Sequence, residues 1–124
     1  MFVPRKSNNY IPCLCYFHKN DPSPEKKRLT VLYFCGIAND LGSIINQIKN
    51  MGKFLDMNII AMEYPGFGMS FGRGVTSKQE ILSDAMTVMK FLIDKIHIDH
   101  SELVVMGRSM GTGVAVYVCT KMRF

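Results

Sequence analysis

In the stretch LVVMGRSMGTG, Leu103 to Gly113, one serine stands between two glycines at the end of a short apolar run. Gly107-Arg108-Ser109-Met110-Gly111 satisfies G-x-S-x-G, with a strand pattern before it and a helix pattern after it. So sharp a turn strains the backbone at the serine. It also presses both flanking positions against the adjoining strand and helix, where glycine is required. The hydroxyl is thereby lifted above the carboxyl end of a sheet. The amide of Met110, first in the new helix, is aimed at an oxygen that gains negative charge in acyl transfer. Ser109 is the candidate nucleophile and the Met110 N–H a candidate oxyanion donor. Thr112-Gly113 adds little volume, which predicts close packing of the helix on the sheet. The competing reading of these residues is a plain strand-to-helix turn with a buried serine.

A serine hydroxyl needs a histidine to take its proton and a carboxylate to orient that histidine. After Ser109 the chain reads MGTGVAVYVCTKMRF, with neither an acid nor a histidine. His18 falls at the end of an early strand pattern, and His97 and His100 in the connection before the apolar run. That connection lies at the amino end of the strand, whereas the serine lies at its carboxyl end. All three read as surface or loop histidines. Other chemistries find no support. GFGMSFG has its third glycine one place too late for a dinucleotide loop, and no G-x-x-x-x-G-K-[ST] occurs. Cys13, Cys15, Cys35 and Cys119 make no CxxC pair and read as free thiols, Cys13 and Cys15 on one strand face. No metal and no cofactor is implied.

The elements around the serine corner form a regular alternation. The chain has 124 residues, 48% hydrophobic and 20% charged, with net charge +5, which fits one globular domain at most. Lys26-Lys27-Arg28 is its one basic cluster, too short for a nucleic-acid patch. No apolar run is long enough to span a bilayer, and the first residues lack the apolar core of a signal peptide, so a cytoplasmic location is expected. YIPCLCYF, Tyr10 to Phe17, predicts a strand that Pro12 makes an edge strand or a late-starting one. LTVLYFC, MNIIAMEY and ELVVMG predict three strands buried on both faces. Between them come two helices. The first carries Ile44, Ile45, Ile48, Met51 and Leu55 on one side, with Asn39 or Asp40 as candidate caps and Gly52 as a weak point. The second has Ser77 and Glu80 as a capping box and an apolar stripe of Ile81, Leu82, Ala85, Val88, Met89, Leu92, Ile93 and Ile96. Buried strands alternating with amphipathic helices mean βαβ units, an α/β fold and a mostly parallel sheet with helices on both faces. Such sheets usually need more chain than this. The expectation is the amino-terminal, incomplete part of a larger domain, with the last strand's edge and the final helix left open and a poorly soluble isolated chain.

With these motifs in order, the chain resembles the α/β-hydrolase family. It is most similar to the branch of the domain 17 depalmitoylases, domain 13 and the Bem46-like proteins. The resemblance runs from about residue 9 to 124, within a single partial domain 1–124. YFCGIANDLG resembles that branch's HGNAxDxG loop, EYPGFGMSFGRG resembles DYxGYGxSxGxP, and the third motif is the elbow around Ser109. The resemblance implies a second oxyanion amide at Ile37, the residue after the loop's first glycine. Cys35 and Ile37 replace the loop's usual histidine and asparagine, and Glu63 stands at a usual aspartate. Any residue but proline keeps the backbone donor. The branch's cysteine-rich amino-terminal segment has no counterpart here.

The resemblance further implies a serine hydrolase acting on esters or thioesters, as an acyl-protein thioesterase or lipid esterase. Its Asp and His would lie beyond the serine. The implied partners are an acyl ester or thioester, a lipidated protein among them, and a peripheral membrane surface, with no nucleic acid and no transmembrane segment. A catalytically inactive binding module and a serine peptidase on the same fold are the alternatives.

Overall fold

A computed structural model describes residues 1–6, 9–18, 27–36, 42–65 and 77–122. Strand β1 (Phe2–Pro4) is followed by β2 (Tyr10–Tyr16), β3 (Thr30–Phe34), helix α1 (Ile45–Leu55), β4 (Asn58–Met62), α2 (Lys78–Asp94), β5 (Leu103–Gly107) and α3 (Met110–Lys121). The strands form one sheet in the order β1-β2-β4-β3-β5. β3 pairs in parallel with both β4 and β5, while β1-β2 and β2-β4 are antiparallel. The crossover through α1 moves one way across the sheet and that through α2 moves the other. Right-handed connections therefore put the two helices on opposite faces. α3 joins α2, packing on β5 and β3. The sheet is thus mixed rather than mostly parallel, parallel among β3, β4 and β5 and antiparallel through β1 and β2, with helices on both faces.

β3 is buried along its whole length and β4 from Ile59 onward, as their unbroken apolar runs require. β5 differs. All five of its residues are half-buried, because among the described residues β3 is its single neighbour and it forms the sheet's edge. β2 is not an edge strand, since β1 and β4 flank it. Pro12 is accommodated because pairing with β4 starts late, at Cys13↔Met62, and the ladder toward β4 never needs a Pro12 N–H. The Pro12 carbonyl is still used and accepts from the Glu63 N–H at 2.9 Å.

Ser77 caps α2, its hydroxyl accepting from the Glu80 N–H at 3.1 Å. Ile81, Ala85, Val88, Met89 and Leu92 are buried, but Leu82 and Ile93 are only half-buried and Ile96 is exposed. Asp84 is buried beside the stripe, held by the Arg5 guanidinium through both carboxylate oxygens, Nε to Oδ1 at 2.7 Å. This ion pair, 79 residues apart in sequence, ties the end of β1 to α2.

In α1, Ile48 is buried and Ile45 exposed. The helix follows a short 3-10 turn, Gly42–Ile44, with no side-chain cap; Asn39 and Asp40 lie outside the described residues. Gly52 is no mere weak point. A Cβ there would stand 2.2 Å from the Tyr16 ring, so its absence lets α1 lie on β2. Cys13 is buried and Cys15 half-buried; burial pushes the Cys13 thiol up to about 12 and also raises that of Cys15. No helix among the described residues is long and apolar enough to cross a membrane.

Candidate active site

β5 ends at Gly107, α3 begins at Met110, and only Arg108 and Ser109 lie between. To reverse direction in so few residues, Ser109 adopts φ 54°, ψ −121°, a left-handed conformation that side chains rarely occupy. The flanks explain the glycines. A Cβ on Gly107 would stand 2.2 Å from the Gly111 carbonyl oxygen, and one on Gly111 would stand 2.0 Å from the Phe34 carbonyl oxygen. All of these are backbone atoms, which cannot turn aside as a side chain does. The Ser109 side chain is left exposed above the carboxyl ends of the strands.

The corner is braced by hydrogen bonds. The Arg108 N–H donates to the Phe34 carbonyl at 3.0 Å, fastening the elbow to β3. The Gly111 and Thr112 amides donate to the Arg108 and Ser109 carbonyls at 2.9 and 3.0 Å. Met110, first in α3, has an N–H with no carbonyl of its own helix to meet. That amide points out of the helix start, where the macrodipole favours negative charge. Gly113, two residues on, has no atom within 4 Å of an added Cβ. The close approach of α3 to the sheet is therefore the work of Gly111, not of Thr112-Gly113, because Gly111 faces β3 and Gly113 faces solvent.

Register brings the residues that follow β3 to the serine. Phe34 pairs with Gly107, so Cys35 and Gly36, the residues that follow β3, lie beside the elbow. A Cβ on Gly36 would lie 3.7 Å from the Ser109 Cβ. Ile37 lies outside the described residues, so the chain is placed only up to its preceding residue. Cys35 is held by a residue the motif reading left without a role. The buried Tyr64 hydroxyl donates to the Cys35 carbonyl at 2.6 Å, with burial holding its proton well above the ordinary tyrosine range. The sequence signal was available, because Tyr64 belongs to the EYPGFG motif. Tyr33, also buried, has its proton affinity raised by burial, partly offset by the Arg108 guanidinium against its hydroxyl.

No histidine approaches this corner among the described residues. Thr30, Asn58 and Leu103 mark the amino ends of the three parallel strands. The His18 N–H donates to Asn58 Oδ1 at 3.0 Å, and its Nε2 lies 3.0 Å from the Gly52 carbonyl and 3.1 Å from that of Met57. His18 is thus a partly buried structural side chain rather than a surface one, and it locks β2 to α1. His97 follows α2 with φ 62°, and His100 opens the turn leading into β5. All three lie at the amino end, about 16 Å of strand away from Ser109.

No family model matches the chain. Curated relatives do. The alpha/beta hydrolase domain-containing protein WAV2 of Arabidopsis thaliana is 34% identical over 98 residues, which is 79% of this chain and 31% of that protein. Protein bem46 of Schizosaccharomyces pombe is 29% identical over 106 residues, covering 86% of this chain and 34% of its own. The chain therefore spans about a third of the length of these relatives. Among solved structures, the carboxylesterase EstE1 from a metagenomic library superimposes with a TM-score of 0.74 at 18% identity. The match covers 98% of this chain and 40% of that one, and at this identity it shows the fold alone.

Proposed function

From the premise that the chain belongs to the α/β-hydrolase superfamily, we propose that it carries the nucleophile half of a serine hydrolase acting on esters or thioesters. One observation carries the reading: Ser109 is held at positive φ between two glycines whose replacement would collide with backbone. A strained residue kept by close packing on both sides is what a presented nucleophile requires.

In this reading the Ser109 hydroxyl attacks the substrate carbonyl, forming a tetrahedral oxyanion. The Met110 amide receives it, and the Ile37 amide is the second donor. The approach of Gly36 to Ser109 supports that second role, because it brings the residue before Ile37 to the serine. The proton goes to a histidine oriented by a carboxylate, both of which in this fold follow the serine in chain order. Collapse of the intermediate expels the alcohol or thiol, and water then releases the acid. Among substrates, an acyl-protein thioester or a lipid ester is favoured by the resemblance to the domain 17 branch.

The second reading, a binding module on the same fold, draws on the position of the three histidines at the far end of the sheet. The two readings part in one assay. Protein purified from the cells that make it is tested on p-nitrophenyl butyrate and on a palmitoyl thioester. The hydrolase reading expects turnover that Ser109→Ala reduces by about three orders of magnitude or more. Turnover unchanged by Ser109→Ala, or none on either substrate, would favour the module.

A further inference from the structure

A groove of about 680 Å³ runs along α2, between the end of β1 and Tyr117 of α3. Its floor is apolar: Leu82 and Met86 of α2, both half-buried, and Tyr117 of α3. The Arg5–Asp84 pair closes its wall beside β1. From Gln79 to Lys90 the lining of α2 extends about 16 Å, three turns of helix. Leu82 belongs to the apolar stripe that the periodicity assigns to the core. It stands instead in this groove, still open to solvent.

Cations predominate around the floor, and Glu80, which lines the adjoining cavity, is the exposed acid beside it. Lys6 and Lys90 stand on the rim, and Lys121 lies 5.7 Å from the centre of the Tyr117 ring. Asp84 is the one acid among the described lining residues, and the Arg5 guanidinium already holds both its oxygens. The space admits several large side chains but not a whole helix, which suits a ligand that inserts one face only.

We propose that this groove docks an acidic amphipathic helix of a partner protein. The partner's apolar face would lie on Leu82, Met86 and Tyr117, and its carboxylates would meet Lys6 and Lys90. Spacing at i, i+3, i+4 and i+7 over three turns matches the contact set of a helix laid in a groove. The cationic rim selects for acids and speeds encounter. The site is separate from the serine corner: Tyr117 lies about 12 Å along α3 from Ser109. It stands or falls independently of the hydrolase reading.

The test is fluorescence anisotropy on the full chain. The probe is a labelled, capped helix with leucines at i, i+3, i+4 and i+7 and glutamates elsewhere. A control carries lysines in place of the glutamates. The glutamate helix should bind at least tenfold tighter than the control, and its affinity should fall as salt is raised. Lys90→Glu, a surface change, should weaken binding about tenfold, and Met86→Glu should abolish it, with far-UV circular dichroism unchanged. If Met86→Glu fails to fold, Tyr117→Ser takes its place. Equal binding of the two helices, or affinity unmoved by Lys90→Glu, overturns the proposal. So does a groove that takes laurate but not the peptide, which would make the occupant a lipid.

Discussion

Gly111 and Gly113 sit two residues apart at the start of α3, and alanine should act on them with opposite sign. At Gly113 an added Cβ meets nothing within 4 Å. Reduced freedom of the unfolded chain and better helix propensity should together stabilise by about 0.5–1 kcal/mol. At Gly111 the same gain is opposed by collision. The new carbon would stand 2.0 Å from the Phe34 carbonyl oxygen, 2.5 Å from its carbon and 2.8 Å from the Cys35 carbonyl oxygen. None of these atoms can rotate away, so α3 must shift bodily off β3. Overpacking costs about 1–3 kcal/mol in a tight core, and contacts this short belong at the top of that range. After the propensity gain of about 1 kcal/mol, the net loss is about 2 kcal/mol. At about 4 °C per kcal/mol, Gly113→Ala should melt about 2–4 °C above the parent and Gly111→Ala about 8 °C below it. Thermal and urea unfolding followed by circular dichroism read both. A Gly111→Ala protein as stable as the parent would refute the close approach of α3 to β3, and with it the position given to the Met110 amide.

Other consequences can be checked in the same preparations. Ser109→Gly should stabilise by about 1 kcal/mol in urea unfolding, because glycine adopts positive φ without strain, while removing any esterase activity. Asp84→Asn should destabilise by about 3 kcal/mol or more, since it leaves the nearly buried Arg5 guanidinium without its counter-charge. The Cys13 thiol, raised by burial from 9.0 to about 12, stays protonated in the folded chain where the unfolded chain ionises. Its contribution is therefore complete below pH 9 and is lost as pH rises toward 12, by about 1.4 kcal/mol per pH unit. Urea midpoints across that range, compared with those of Cys13→Ala, isolate it. Iodoacetamide at pH 8 should modify exposed Cys119 well before buried Cys13, as peptide mapping would show.

The parts of this chain that could be read in advance are those where a local rule has one solution. Gly107 and Gly111 announce the elbow because sterics admit no other residue there, and Ser77 announces the start of α2 because its hydroxyl meets the Glu80 amide. The runs of β3 and β4 read as buried because a parallel strand covered on both faces must be apolar throughout. Relations between distant segments left no such mark. β1 was too short, with Pro4 at its end, to be assigned at all, and its arrival is what makes β2 an interior strand. Arg5 and Asp84 each look like surface charges until the fold sets them side by side. β5 reads as an unbroken apolar run like β3, but its half-burial follows from its place at the edge of the sheet, which composition does not encode. The glycines show the same division: Gly52 and Gly111 are indispensable to packing and Gly113 is not, and only the neighbouring backbone or ring tells them apart. His18 lies in the loop after β2 as its position suggests, but it looked like a surface side chain because its partners, the carbonyls of Gly52 and Met57, are more than thirty residues away. At the site, the strained corner at Ser109 was legible from its motif, whereas Tyr64, though it stands in the EYPGFG motif, showed its bracing contact only when its hydroxyl was seen to reach the Cys35 carbonyl.

The central claim is that Ser109 is a presented nucleophile. It is tested most directly by treating the protein, purified from the cells that make it, with a fluorophosphonate and mapping the adduct by mass spectrometry. The account predicts one phosphonyl group, on Ser109, absent after prior denaturation and absent from Ser109→Ala. An adduct on another residue, or none on the native protein, would contradict it.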